Sequence, residues 1–138
     1  LVIQLKTLLI DVLMYFLTDY EQQNLHSENF LLSVLAMMNT PENIEEGVTA
    51  LVRISGFSHG HLCRLMKQEM GITPVKYVTN LRLQYAANLL TSTTKDILSI
   101  SMELGFTSLS HFITIFKQKY GISPSKYRSA YSNIHIWK

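Results

Sequence analysis

The sequence predicts an all-α fold in which one short helical unit occurs twice, on a connector helix, preceded by one or two extra N-terminal helices. Three observations predict it. Apolar residues recur at helical spacing along most of the chain. A 17-residue stretch from His61 to Tyr77 repeats at an offset of 50, with eight positions identical. Glycines and Thr-Pro or Ser-Pro pairs punctuate both copies at matching places. An internal repeat of this kind takes precedence over any other fold signal.

The first element is an apolar helix. Leu5, Leu8, Leu9, Val12, Leu13, Phe16, Leu17 and Tyr20 form a stripe, and Ile3, Ile10, Met14 and Tyr15 add apolar residues off it. A helix apolar all round needs cover on more than one side. The cover is a dimer contact, a domain upstream of Leu1, or the core of this same domain. Gln4, Lys6 and Asp11 make the segment too polar, and its length too short, for a membrane span. It has no basic n-region and no small-residue cleavage site, so it does not read as a signal peptide. The chain begins with Leu, which suggests a fragment of a longer protein.

Glu21–Glu28 reads as a polar linker, and Phe30–Met38 as a second apolar helix. Thr40-Pro41 is a helix start, with Thr40 as N-cap and Pro41 in the first turn. Glu42, Glu45 and Glu46 suit the positive end of the helix dipole. That helix is expected to run to about Ile54.

The two copies then follow one grammar. A helix (Val48–Ile54; Ile97–Leu104) ends at a glycine (Gly56; Gly105) able to take positive φ. An aromatic follows (Phe57; Phe106), and Ser58 or Ser108 caps the next helix. That helix buries Leu62, Leu65 and Met66 in the first copy, and Phe112, Ile115 and Phe116 in the second. It ends at Gly71 or Gly121. Thr73-Pro74 and Ser123-Pro124 then start another helix. A short helix, a glycine turn and a second helix with a free polar face make a helix-turn-helix. The connector, Val75–Leu90, buries Val78, Leu81, Leu83, Ala86, Leu89 and Leu90 and turns Arg82 outward. It spans about 24 Å, and successive major grooves on one face of DNA lie about 34 Å apart.

Charge separates the two parts of the chain. The net charge of +2 combines −6 over residues 1–52 with +8 over residues 53–138. The asymmetry points to a polyanionic partner for the second part. With one cysteine, Cys63, a disulfide framework and a multi-cysteine zinc site are excluded, and a reducing, cytoplasmic setting is expected.

Gly105-Phe106, Phe112, Phe116-Lys117, Gly121-Ile122-Ser123-Pro124 and Tyr127-Arg128 together resemble the signature of the AraC/XylS family of transcription regulators. Ile97, Ile100 and Glu103-Leu104 fit the helix that opens that unit. The first unit resembles the family through Leu62, Arg64-Leu65, Lys67, Gly71, Thr73-Pro74, Leu81-Arg82-Leu83, Ala86 and Leu89-Leu90. The resemblance covers roughly residues 45–130. It implies a seven-helix double helix-turn-helix domain at 41–131, followed by a tail at 132–138. It implies a second helix of each unit, about 59–69 and 109–119, in a major groove of promoter DNA. Residues 1–40 would be the tail of an upstream sensor and dimerisation domain, which in this family often binds a sugar.

Candidate base readers are Gly60, Cys63 and Arg64 in the first unit, and Leu109, Ser110, Ile113 and Thr114 in the second. Arg64 leads them, because a guanidinium matches guanine O6 and N7 in a bidentate contact. A phosphate contact is its other reading. Leu109 and Ile113 either meet thymine methyl groups or extend the core. Many family members carry a basic residue where this chain has Thr114. Lys67, Lys76, Arg82, Lys117, Lys119, Lys126 and Arg128 are candidate phosphate partners, which position the domain without specifying sequence. His61 and His111 occupy equivalent positions in helix starts. No cofactor, metal or catalytic group is expected. The basic part holds only Glu69, Asp96 and Glu103 as carboxylates, scattered over different helices, and a two-metal nuclease site needs them clustered. The leading function is a sequence-specific regulator of transcription acting on RNA polymerase. The alternatives are a DNA-processing enzyme and a protein-interaction module that uses the N-terminal helix, with residues 1–20 as a homodimer contact.

Overall fold

The computed structural model describes residues 1–132, so most of the expected tail at 132–138 lies outside the described residues. Among them it has eight helices and no strand. They are α1 (Val2–Met37), α2 (Pro41–Glu46), α3 (Val48–Ser55), α4 (His59–Met70), α5 (Pro74–Ser92), α6 (Ile97–Glu103), α7 (Leu109–Tyr120) and α8 (Pro124–Tyr131). The chain divides into two compact units, the first ending at Ala36 and the second beginning at Met37.

The first unit is the greater part of α1. The linker expected at Glu21–Glu28 does not form, and the two expected helices are one helix of 36 residues. The segment contains no Gly or Pro, and Glu and Gln favour the helix. The hydroxyls of Thr18, Ser27 and Ser33 donate to carbonyls four residues back, within the helix rather than against it. The apolar side chains from Leu1 to Tyr20 are exposed, Leu9 at 58% and Leu13 at 53%. Among the described residues no helix is long and apolar enough to cross a membrane.

In the second unit, every helix start except that of α3 has a side-chain cap. The side chains of Thr40, Ser58, Thr73, Ser108 and Ser123 each accept from the backbone N–H three residues on. Asp96 does the same for α6, accepting from both the N–H and the hydroxyl of Ser99, which lowers its carboxyl pKa. The helix expected from Pro41 to Ile54 is instead two, α2 and α3. They break at Gly47, whose φ of 74° is closed to other residues except at a cost.

α5 belongs to both halves of this unit. It packs against α2, α3 and α4 on one side and against α6 and α8 on the other. Ile44, Ala50, Leu51, Leu62, Met66 and Val78 form an aliphatic core around its start. Leu90, Ile100, Phe112 and Phe116 are buried around its end, where the second core is aromatic. Rings there follow one another from Phe106 through Phe112, Phe116, Tyr120 and Tyr127 to Tyr131, at centroid distances of 4.6–5.7 Å. Tilted and edge-on ring pairs of this kind add to what burial alone contributes.

Candidate nucleic-acid interface

The two helix-turn-helix units are α3 with α4 and α6 with α7, and in each the first helix packs on the second. Both turns run through a left-handed glycine, Gly56 at φ 69° and Gly105 at φ 83°. The Phe57 ring stacks on His61 at 4.3 Å, which ties the start of α4 to its own turn. His61 therefore has a structural role in the helix start.

On α4, Leu62 and Met66 are buried, Cys63 is half-buried, and Gly60, Arg64 and Lys67 are exposed. A Cβ at Gly60 would meet only Arg64 Nη1, at 3.7 Å, so the fold itself does not require glycine there. Cys63, Arg64 and Lys67 share a shallow concavity with Gln68 and Thr73. Cys63 Sγ lies 3.7 Å from His59 Nδ1, one helical turn back. Among the described residues no three His, Cys, Asp or Glu side chains form a metal-holding group.

On α7, Phe112 and Phe116 are buried, Leu109 and Ile113 are half-buried, and Ser110, Thr114 and Lys117 are exposed. The Thr114 hydroxyl donates to the Ser110 carbonyl at 2.9 Å. Its proton is thereby occupied, and the helix presents fewer free donors than α4. Lys76 and Lys126 are exposed in the first turns of α5 and α8. Lys119, on the flank of α7, donates to the Asn80 carbonyl at 3.2 Å.

Two of the expected phosphate partners are engaged elsewhere. Arg82 does not turn outward. Its Nε donates to the Ile44 carbonyl at 3.0 Å and its Nη2 to the Glu45 carbonyl at 2.7 Å. These carbonyls belong to the last turn of α2, which has no helical partners for them. Partial burial lowers the Arg82 pKa, against the opposing charge of Glu45. The guanidinium lies between Gly47 and Gly105 and 5.7 Å from the Phe106 ring centre. Arg128 acts alike at the end of α5, donating to the carbonyls of Leu90 and Lys95. A guanidinium with several fixed donors suits this capping.

Sequence reasoning missed this joint. Gly47 carried a local signal, a glycine within an expected helix. The partners of Arg82 lie 37 and 38 residues away and carried none.

The sequence profile of the helix-turn-helix domain family matches residues 51–130. An uncharacterized HTH-type transcriptional regulator of Haemophilus influenzae is 32% identical over 130 residues, covering 88% of this chain and 43% of that protein. A transcriptional regulator with an AraC-type DNA-binding domain from Chromobacterium violaceum has a similar structure. Its TM-score is 0.67 at 32% identity, over 79% of this chain and 97% of that one. The DNA-binding domain of AdpA, a global transcriptional factor solved in complex with a target DNA, has a TM-score of 0.63 at 25% identity. It covers 73% of this chain and 91% of its own. Fold and site together define a tandem helix-turn-helix module of the DNA-binding transcription regulators. The chain belongs to the AraC-type family of these regulators. It spans less than half the length of the first curated relatives it matches.

Proposed function

We propose that this chain is the DNA-reading part of a bacterial regulator, with α4 and α7 seated in successive major grooves of a promoter site. The observation that carries the reading is the duplicated, side-chain-capped helix with an exposed polar face, set twice on one shared connector. Gly60, Cys63 and Arg64 face the bases from α4, and Leu109, Ser110, Ile113 and Thr114 from α7. Lys67, Lys76, Lys117 and Lys126 hold phosphates. Arg64 makes the first unit the more discriminating one. On α7 the Thr114 proton is held by its own backbone, so its readout rests on apolar contact with thymine methyls.

The promoter-bound chain acts on RNA polymerase and works in the cytoplasm. It performs no chemistry of its own. The apolar side chains exposed from Leu1 to Tyr20 form an interaction face, and a second copy is the occupant proposed.

The test pairs two substitutions on a duplex selected by the protein from a random pool. Arg64→Ala is expected to weaken binding to the selected site by about 1–3 kcal/mol and to relax preference at one base pair. Equal loss on selected and random DNA would remove Arg64 from the base readers. Lys117→Gln is expected to weaken binding to both duplexes alike and to reduce the slope of log K against log salt by about 0.9. Failure of the wild-type chain to enrich any duplex would refute the reading as a whole.

A further inference from the structure

Between α5 and α7 lies a groove of about 340 Å³ that includes Lys76, Asn80, Gln118 and Lys119 in its lining. Neither α5 nor α7 carries a single Asp or Glu, so both walls lack a carboxylate. The acids that do pair with bases do so elsewhere, at Arg53–Glu46 and Lys95–Glu103. Lys119 is held in place by its bond to the Asn80 carbonyl, which uses one of three ammonium protons. Burial lowers its pKa, and the charge of Lys76 lowers it further. Two ammonium groups thus face one groove, and nothing on either helix neutralises them. Like charges held together in this way form a seat for an anion.

The position of the groove says which anion. Gln118 and Lys119 follow Thr114 and Lys117 on the second reading helix. Lys76 follows Thr73, which lines the concavity beside Arg64 and Lys67 of the first. The groove is thus walled by the second reading helix and by the connector that starts directly after the first. In a duplex spanning two major grooves, what lies between them is the minor groove with the two sugar-phosphate strands that edge it.

We propose that the α5–α7 groove is a seat for one phosphodiester of the DNA backbone between the two major-groove contacts, with Lys76 and Lys119 gripping the same phosphate. The inference rests on the groove-binding reading given above. Its effect is to fix the register of the two reading helices on the duplex without reading sequence.

The experiment measures salt dependence of binding for the full chain, as wild type, Lys76→Gln, Lys119→Gln and the double variant. The probe is a random-sequence duplex of two to three helical turns. One shared phosphate predicts that the double variant loses about 0.9 in log–log slope, and each single variant less than that. Between 50 and 200 mM salt this is about a three- to fourfold smaller loss of affinity. An unchanged slope in the double variant overturns the proposal, as does a loss near 1.8, which means two separate phosphates. Lys119→Arg, which keeps the charge, is expected to restore the slope and shows that altered folding is not the cause. A selected duplex with one neutral methylphosphonate between the two protected grooves should reproduce the loss for wild type and add nothing to the double variant. Absence of any duplex binding by wild type would instead refute the underlying reading.

Discussion

Gly105→Ala is expected to destabilise the chain by about 3–5 kcal/mol, the larger of the two glycine effects in the second helix-turn-helix. Two costs combine. At φ 83° an L-residue meets its own carbonyl, which costs about 1–2 kcal/mol. A Cβ there would also overlap the Glu45 carbonyl oxygen and come within 2.5 Å of Arg82 Nη2. Glu45 belongs to α2, so relief requires either that α2 shift or that Arg82 withdraw from its carbonyl. Losing that charge-assisted hydrogen bond costs about 1.5–3 kcal/mol. Gly121 provides the control. Its φ is 80°, but a Cβ there meets nothing within 4 Å. Gly121→Ala should therefore cost only the backbone part, about 1–2 kcal/mol. Urea unfolding of the two variants separates the costs, and equal midpoints would show that the close approach at Gly105 has no energetic weight.

The contrast between these glycines marks what a sequence discloses. The glycines at 56, 71, 105 and 121 all take the left-handed turn expected of them, because a glycine after a capped amphipathic helix is a local signal. The caps at Thr40, Ser58, Thr73, Ser108 and Ser123 are legible for the same reason, since each bond spans three residues. The exposure of Gly60, Arg64 and Lys67, and of Ser110, Thr114 and Lys117, follows from helical periodicity alone. What stayed hidden is long in range or weak in sign. Glu21–Glu28 looked like a linker because it is polar, but polarity breaks no helix when every residue in it tolerates one. Arg82 and Arg128 sat at polar positions of their helices, which is all periodicity can say. That their guanidinium groups bend back to cap the ends of α2 and α5 depends on chain brought close by the fold.

Arg82→Met is expected to lower stability by about 2–3 kcal/mol while leaving the salt slope of DNA binding unchanged. Methionine keeps the apolar stem but removes the donors to the Ile44 and Glu45 carbonyls, and each such bond to a charged donor contributes about 1.5–3 kcal/mol. Water reaches the half-exposed joint and replaces part of this, so the two bonds do not count in full. A phosphate partner would behave in the opposite way, with stability retained and the slope reduced by about 0.9. The joint also links the halves of the domain. Arg82 connects α2, which packs against α3 of the first helix-turn-helix, to the Gly105-Phe106 turn of the second helix-turn-helix. The spacing of α4 and α7 is thus set by this latch as well as by the length of α5. Loosening it should cost more affinity on a selected two-groove site than on random DNA, because only the former requires both helices in register. Arg82→Met combined with Gly105→Ala tests the latch directly. Both changes break the same Arg82–Glu45 contact, so their costs should fall short of additivity by about 1–2 kcal/mol, as expected for residues sharing one interaction. Full additivity would mean that Gly105 and Arg82 act independently, and that the glycine of the second turn is there for its backbone alone.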